Sequence, residues 1–256
     1  MSKLSFDDVM SFYPKHNRAI YDQILSAQRG CSLVPFVGAG LSVFCGYKLW
    51  GTVLSELAEF IPTDDDQQKA LMQISNFEYE KAAQTILDAY PLMLDQLPTI
   101  VNPDKVHSCP QEAFRSSAAY ALPYLFPKGL VITTNFDRVL ETIYLERFNK
   151  PIQVVTPKEQ DRLAQLRQNQ ALGLFKLHGD IGSDTVSIDD LVFTSEQYQC
   201  KYRDNSPLVQ ELTRWFENRR LLFLGCSLNV DRTMDILKQV AISLPDTKPD
   251  TSHSEL

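Results

Sequence analysis

Residues 129–148 read "GLVITTNFDRVLETIYLERF", and this stretch decides the fold. An apolar, β-branched run (129–134) suits a buried strand. It ends in Asn135-Phe136-Asp137, and a helix pattern follows from Phe136. A strand passing through a short polar turn straight into a helix is half of a strand–helix–strand unit. The same alternation recurs downstream. Strands are predicted at 152–156, 171–177 and 220–225, and helices at 158–168, 207–218 and 231–242. Strands alternating with helices predict an α/β fold, a Rossmann-like parallel sheet with helices on both faces.

Working upstream, "LVPFVGAGLS" (33–42) supplies one more strand, at 33–37, ending in Gly38-Ala39-Gly40-Leu41-Ser42. Pro35 removes a ladder donor and counts against a central strand; the strand is kept with the proline near its first paired residues. Residues 17–30 read as a preceding helix stopped by Gly30. After the glycines, Trp50, Val53, Leu54, Leu57, Ala58 and Ile61 fall at i, i+3, i+4, i+7, i+8 and i+11, the spacing of an amphipathic helix. From 63 to 126 the pattern stays helical, punctuated by Pro91, Pro98, Pro103, Pro110 and Pro123. The expected organisation is a single domain over 1–256. Its Rossmann-like core spans about 30–50 and 127–243, a helical insert spans about 51–126, and a polar tail at 245–256 is expected to be disordered.

Bulk composition narrows the function. The 256 residues are 44% hydrophobic and 22% charged, ordinary for a globular chain able to bury a full core. A net charge of −7 argues against direct nucleic-acid binding. Five cysteines (31, 45, 109, 200 and 226) are odd in number, scattered and without a C-x-x-C pair, which suits free thiols in a reducing cytoplasm. The start "MSKLSFDDVM" lacks a secretory pattern, and no apolar run is long enough to span a membrane. The histidines at 16, 107, 178 and 253 are too dispersed to suggest a metal site, so no metal is expected.

Ligands of open parallel sheets bind beyond the carboxyl ends of the strands. Those ends carry Gly38-Ala39-Gly40-Leu41-Ser42, Asn135-Phe136-Asp137, His178-Gly179-Asp180 and Gly225-Cys226-Ser227. Glycines at a strand end admit a ligand closely, and a helix starting just after them would attract a phosphate. Each group also has an ordinary reading. Asn135 suits a helix cap, His178 a hydrogen-bonded core histidine, and Gly225 with Ser227 a turn. Two nucleotide fingerprints are missing: the third small position of G-x-G-x-x-G is Val43, and no G-x-x-x-x-G-K-[ST] occurs.

Taken in order, "GAGLS", "TTNFD", "KLHGD" and "LFLGCSL" resemble the sirtuin (silent information regulator 2-like) superfamily. The resemblance implies NAD as the ligand. By it, Gly38, Ala39, Gly40 and Ser42 hold the pyrophosphate, and Asn135 and Asp137 meet the nicotinamide and its ribose. His178 is the general base, and Gly225 and Ser227 support the adenosine side. The chain departs from the protein deacylases of the family. It lacks their two C-x-x-C zinc pairs, and Gly46-Tyr47-Lys48-Leu49-Trp50 stands where they carry Gly-Ile-Pro-Asp-Phe-Arg. It is closer to the prokaryotic sirtuin-like branch in which a helical module replaces the zinc domain, NAD hydrolase domains of bacterial antiphage defence effectors.

The implied reaction is a glycohydrolysis of NAD to nicotinamide and ADP-ribose. Asn135 and His178 are the implied catalytic pair, and Asp137 and Ser42 are expected to bind the carboxamide. Two alternatives stay open: a non-catalytic module that senses NAD or ADP-ribose, and an NAD-dependent protein deacylase. The resemblance also implies a homo-oligomer or a sensing or activating protein partner, the chain being a catalytic subunit or a piece of a longer one.

Overall fold

The computed structural model describes residues 5–101, 115, 117–168, 170–181, 190–227 and 232–243. Two helices lead in, α1 (Phe6–Phe12) and α2 (Pro14–Arg29), followed by the strand β1 (Leu33–Val37). Four helices follow: α3 (Trp50–Ala58), α4 (Asp64–Ser75), α5 (Tyr79–Ala89) and α6 (Met93–Val101). After the short α7 (Leu122–Leu125) come β2 (Leu130–Thr133), α8 (Val139–Phe148), β3 (Gln153–Val155), α9 (Gln160–Gln168) and β4 (Gly173–Lys176). The chain then runs through α10 (Ser195–Lys201), α11 (Pro207–Asn218), β5 (Arg220–Leu224) and α12 (Arg232–Ser243).

The five strands form one parallel sheet in the order β3-β4-β2-β1-β5. Pro35 therefore sits in a central strand, and the register shows how it is tolerated. Gly38 N donates to Leu224 O, so even-numbered amides of β1 face β5 and odd-numbered ones face β2. The donor that Pro35 lacks faces β2, whose pairing with β1 begins only at Phe36↔Ile132. The cost is confined to the β2 side, and the β1–β5 register from Leu33 to Val37 stays whole.

Alternation along the strands sorts their side chains into two cores. Val34, Phe36, Leu130, Ile132 and Phe175 pack under Leu163, Leu166, Leu212, Trp215 and Ile236 from α9, α11 and α12. Val37, Val131 and Leu174 pack under Leu140, Ile143 and Tyr144 from α8 and Leu122 from α7. A third core belongs to α3–α6: Val53, Leu54, Leu57 and Ala58 of α3 are buried against Ala82, Ala83, Ile86, Met93 and Leu97. Burial of each large apolar side chain is worth about 1.5–3 kcal/mol. Phe136, Ile181, Leu191 and Phe193, from loops beyond β2 and β4, join this third core. The helices between β1 and β2 are thereby seated on the carboxyl edge of the sheet.

Several local expectations change. No α-helix starts after the glycines; two three-residue 3-10 turns, Ala39–Leu41 and Val43–Cys45, intervene before Trp50. The reason is local. Gly46, in the left-handed region at φ 85°, stops the second turn before an α-helical ladder can form. The helix expected from Phe136 opens at Val139, because the Asp137 carboxylate accepts from Val139 N at 3.0 Å and Asn135 is turned elsewhere. Helices α1 and α10 were not expected; both open on a capping box, at Ser5/Asp8 and Thr194/Gln197. The tail at 245–256 and the prolines at 103 and 110 lie outside the described residues.

Candidate active site

A cavity of about 760 Å3 lies between the carboxyl ends of the strands and helices α3 and α5. Gly38, Ala39, Gly40, Asn135, Asp137, His178, Gly225 and Ser227 all line it. Of the residues singled out from the sequence, Ser42 alone is absent from this wall. It is 2% exposed and accepts a hydrogen bond from Asn135 Nδ2 at 3.2 Å.

The β1 and β5 ends owe their glycines to each other. Gly40 N donates to Gly225 O at 2.9 Å. A Cβ on Gly38 or Gly40 would fall 2.7 or 2.8 Å from Gly225 O, and one on Gly225 would fall 2.3 Å from Leu41 N. Leu41 N and Ser42 N are spent on Gly38 O and Ala39 O within the 3-10 turn. The turn therefore does not offer the fan of unpaired amides that a helix start would, and the expected phosphate cradle at a helix N-terminus is not there. Close packing of two backbones explains these glycines without a ligand.

The β2 end is set by hydroxyl bridges. Thr133 Oγ1 donates to Val37 O of β1 at 2.9 Å and accepts from Asn135 N at 3.0 Å. This turns the Asn135 side chain inward, where it is 7% exposed. Its Nδ2 is held by Ser42 and by the Asp137 carboxylate, leaving Oδ1 buried with no hydrogen-bond partner among the described residues. Asp137 is equally buried, and burial pushes its carboxyl above the usual carboxylate range against the pull of Ser42, Val139 N and Lys176.

His178 follows β4 and is 6% exposed. Its Nε2 lies 3.0 Å from Tyr202 Oη, which in turn lies 3.0 Å from Thr233 Oγ1. Tyr198 Oη lies 3.4 Å from Nδ1. The imidazole is thus gripped by two tyrosines one helical turn apart on α10 and its C-cap. Val192 N donates to His178 O at 3.0 Å, fixing the loop behind it. An aromatic wall of Trp50, Phe136 and Phe193 continues from there, with ring centroids 5.6–6.4 Å apart.

Tyr47, Trp50, Lys176, Tyr198 and Tyr202 did not emerge from the sequence as site residues. Lys176 leaves a trace, a lysine inside the apolar run "ALGLFKL"; the tyrosines leave none, since the short α10 has no buried residue to mark an apolar face. The described cysteines 31, 45, 200 and 226 form no disulfide with one another. Among the described residues no group of three or more His, Cys, Asp or Glu side chains could hold a metal ion, and no helix is long and apolar enough to cross a membrane.

Sheet order, strand-end loops and cavity together define a Rossmann-like α/β fold with a cavity at the carboxyl edge of its sheet. Residues 129–253 match the family model of the SIR2-like domain. The chain is also similar to three curated relatives, each named NAD(+) hydrolase ThsA. It is 26% identical to that of Bacillus cereus (strain MSX-D12) over 80% of this chain and 39% of the relative. It is 22% identical to that of Acinetobacter baumannii (strain 532279), over 90% and 43% respectively. For that of Enterococcus faecium the values are 27% identity, 80% and 40%. The chain thus spans about two-fifths of the length of these relatives.

Proposed function

We propose that this chain is an NAD glycohydrolase, cleaving NAD to nicotinamide and ADP-ribose. The observation that carries the reading is Asn135: a buried amide whose Oδ1 has no partner among the described residues, in the wall of the cavity that His178 and Asp137 also line. Leaving a buried acceptor unpaired costs about 1–3 kcal/mol, and such orphans are kept where a ligand or water completes them. The relatives' name and the SIR2-like match support NAD as that ligand. A 760 Å3 cavity is within the usual span of small-molecule and cofactor sites.

In this reading nicotinamide leaves as a neutral group, so the developing positive charge on the ribose is what needs help. Asn135 Oδ1 accepts a hydrogen bond from the attacking water or a ribose hydroxyl. His178 takes the proton from that hydroxyl or water. Asp137 binds the carboxamide. Ser42, buried behind the wall, holds Asn135 and Asp137 rather than the ligand. Gly38, Ala39, Gly40, Gly225 and Ser227 form a floor on which the dinucleotide lies close to backbone.

The biological role we infer is a regulated, NAD-depleting effector of bacterial antiphage defence that works as a homo-oligomer or with a sensing partner. The rival, a sensing module that binds NAD without cleaving it, draws on the grip of Tyr198 and Tyr202 on both imidazole nitrogens. One experiment separates them: incubate the purified protein with NAD alone and chromatograph for free nicotinamide. Release without any acylated peptide supports the glycohydrolase, and release that rises with protein concentration in parallel with light scattering supports control by assembly. Turnover that requires an acetyl-lysine peptide means a deacylase; bound, intact NAD under all conditions means a sensor.

A further inference from the structure

Lys176 is 1% exposed, the last residue of a strand whose four residues are all buried. Lysine is almost never found in such a place unless paired. Its Nζ donates to Asp137 O at 3.0 Å, Phe136 O at 3.3 Å, Glu141 Oε1 at 2.6 Å and Asp180 Oδ1 at 3.0 Å. These four oxygens come from the loop after β2, from α8 and from the loop after β4. The two carbonyls lie ahead of α8, which opens with Thr142 N donating to Arg138 O. They are the backbone of the segment that carries Asn135 and Asp137. Asp180 is two residues past His178.

We propose that Lys176 is a positioning residue for catalysis, its ammonium group clamping the Asn135–Asp137 loop against the loop of His178 so that amide and imidazole face one substrate. This rests on the NAD-cleaving reading above. Register supports the reach: Thr133 of β2 pairs with Lys176 of β4, so the side chain leaves the sheet where the neighbouring strand breaks into its functional turn. The adjacent charges are arranged to hold the cation. Glu141 faces it from α8, and Asp180, itself 3.7 Å from Arg138 Nη2, faces it from the β4 loop. Its positive charge also opposes the upward push of burial on the Asp137 carboxyl. Asp137 also meets Ser42 from the β1 loop and Asn135 from its own loop, and it faces Tyr47, whose hydroxyl is in turn near Arg138 and Glu141.

The test uses two variants, Lys176→Met and the paired Lys176→Met/Glu141→Leu. Removing one member of a buried ion pair strands the other, whereas replacing both with apolar groups is often tolerated. The single variant is expected to lose stability and the paired one to recover it. Asp180 keeps Arg138 and partial exposure in both. If Lys176 positions the loops, kcat for nicotinamide release stays about 10²-fold down in the recovered paired variant, the scale of loss for a misplaced catalytic group. KM for NAD changes little. A second readout needs no turnover: the carboxyl carbon of Asp137, titrated by NMR in the ligand-free protein, should move to higher pH when Lys176 is gone. A paired variant with full kcat, or an Asp137 titration that does not move, overturns the proposal. If the wild-type protein releases no nicotinamide, the NAD reading fails by itself, and the Asp137 titration still decides the clamp.

Discussion

Gly225→Ala should destabilise the protein with no ligand present, and the structure supplies a control at Gly46. Both glycines sit at positive φ, 66° and 85°. Alanine in that region costs about 1–2 kcal/mol from contact of its own Cβ with the backbone. At Gly46 nothing lies within 4 Å of the added carbon, so that cost stands alone. At Gly225 the carbon meets Leu41 N at 2.3 Å, Gly40 C at 2.9 Å and Leu41 Cα at 3.1 Å. These are backbone atoms of the neighbouring turn, tied by the Gly40–Gly225 hydrogen bond, and cannot rotate away. Overpacking of that kind adds about 1–3 kcal/mol. Gly225→Ala should therefore lose about 2–5 kcal/mol in total. Urea unfolding of both variants, followed by circular dichroism without NAD, reads the gap as a difference in midpoint at constant slope. Equal midpoints for the two variants would refute the argument, and the glycines would then owe their presence to a ligand after all.

Asn135→Ala and His178→Ala should each cut nicotinamide release by about 10²–10⁴ while circular dichroism stays unchanged; near-normal turnover of His178→Ala leaves the imidazole a packing residue. Asp137→Asn should lose activity yet gain stability at neutral pH. The folded-state pKa of Asp137 is raised by burial, so between the unfolded and folded pKa values the native state holds more protons and stability falls as pH rises. The advantage of Asn over Asp, measured as thermal midpoints against pH, should be full above the raised pKa and vanish well below the unfolded value of about 3.9, where both states are protonated; an advantage independent of pH would contradict this. Activity should survive a chelator, since no described cluster of three ligand-type side chains exists; inactivation reversed by zinc would show a site elsewhere.

The five strands, their flanking helices and the four strand-end motifs were legible because each is written in consecutive residues. Apolar runs, helical spacing and turn residues act through local backbone preference, and the strands predicted near 33, 129, 152, 171 and 220 begin in the sheet at Leu33, Leu130, Gln153, Gly173 and Arg220. Sheet order was not legible, because pairing partners such as Val37 with Leu224 are far apart in sequence and any apolar strand can face any other. The same distance in sequence hid the meaning of individual residues. Gly40 is a glycine because Gly225 lies against it, and Ser42 is withdrawn from the cavity because Asn135 reaches over it. The place of Lys176 was equally illegible, since only the fold brings Phe136, Asp137, Glu141 and Asp180 to its ammonium group. Composition and periodicity decide which segments form elements, because those forces act within a few residues. Which polar atom meets which is decided by packing alone, when segments more than a hundred residues apart close on the same few ångströms.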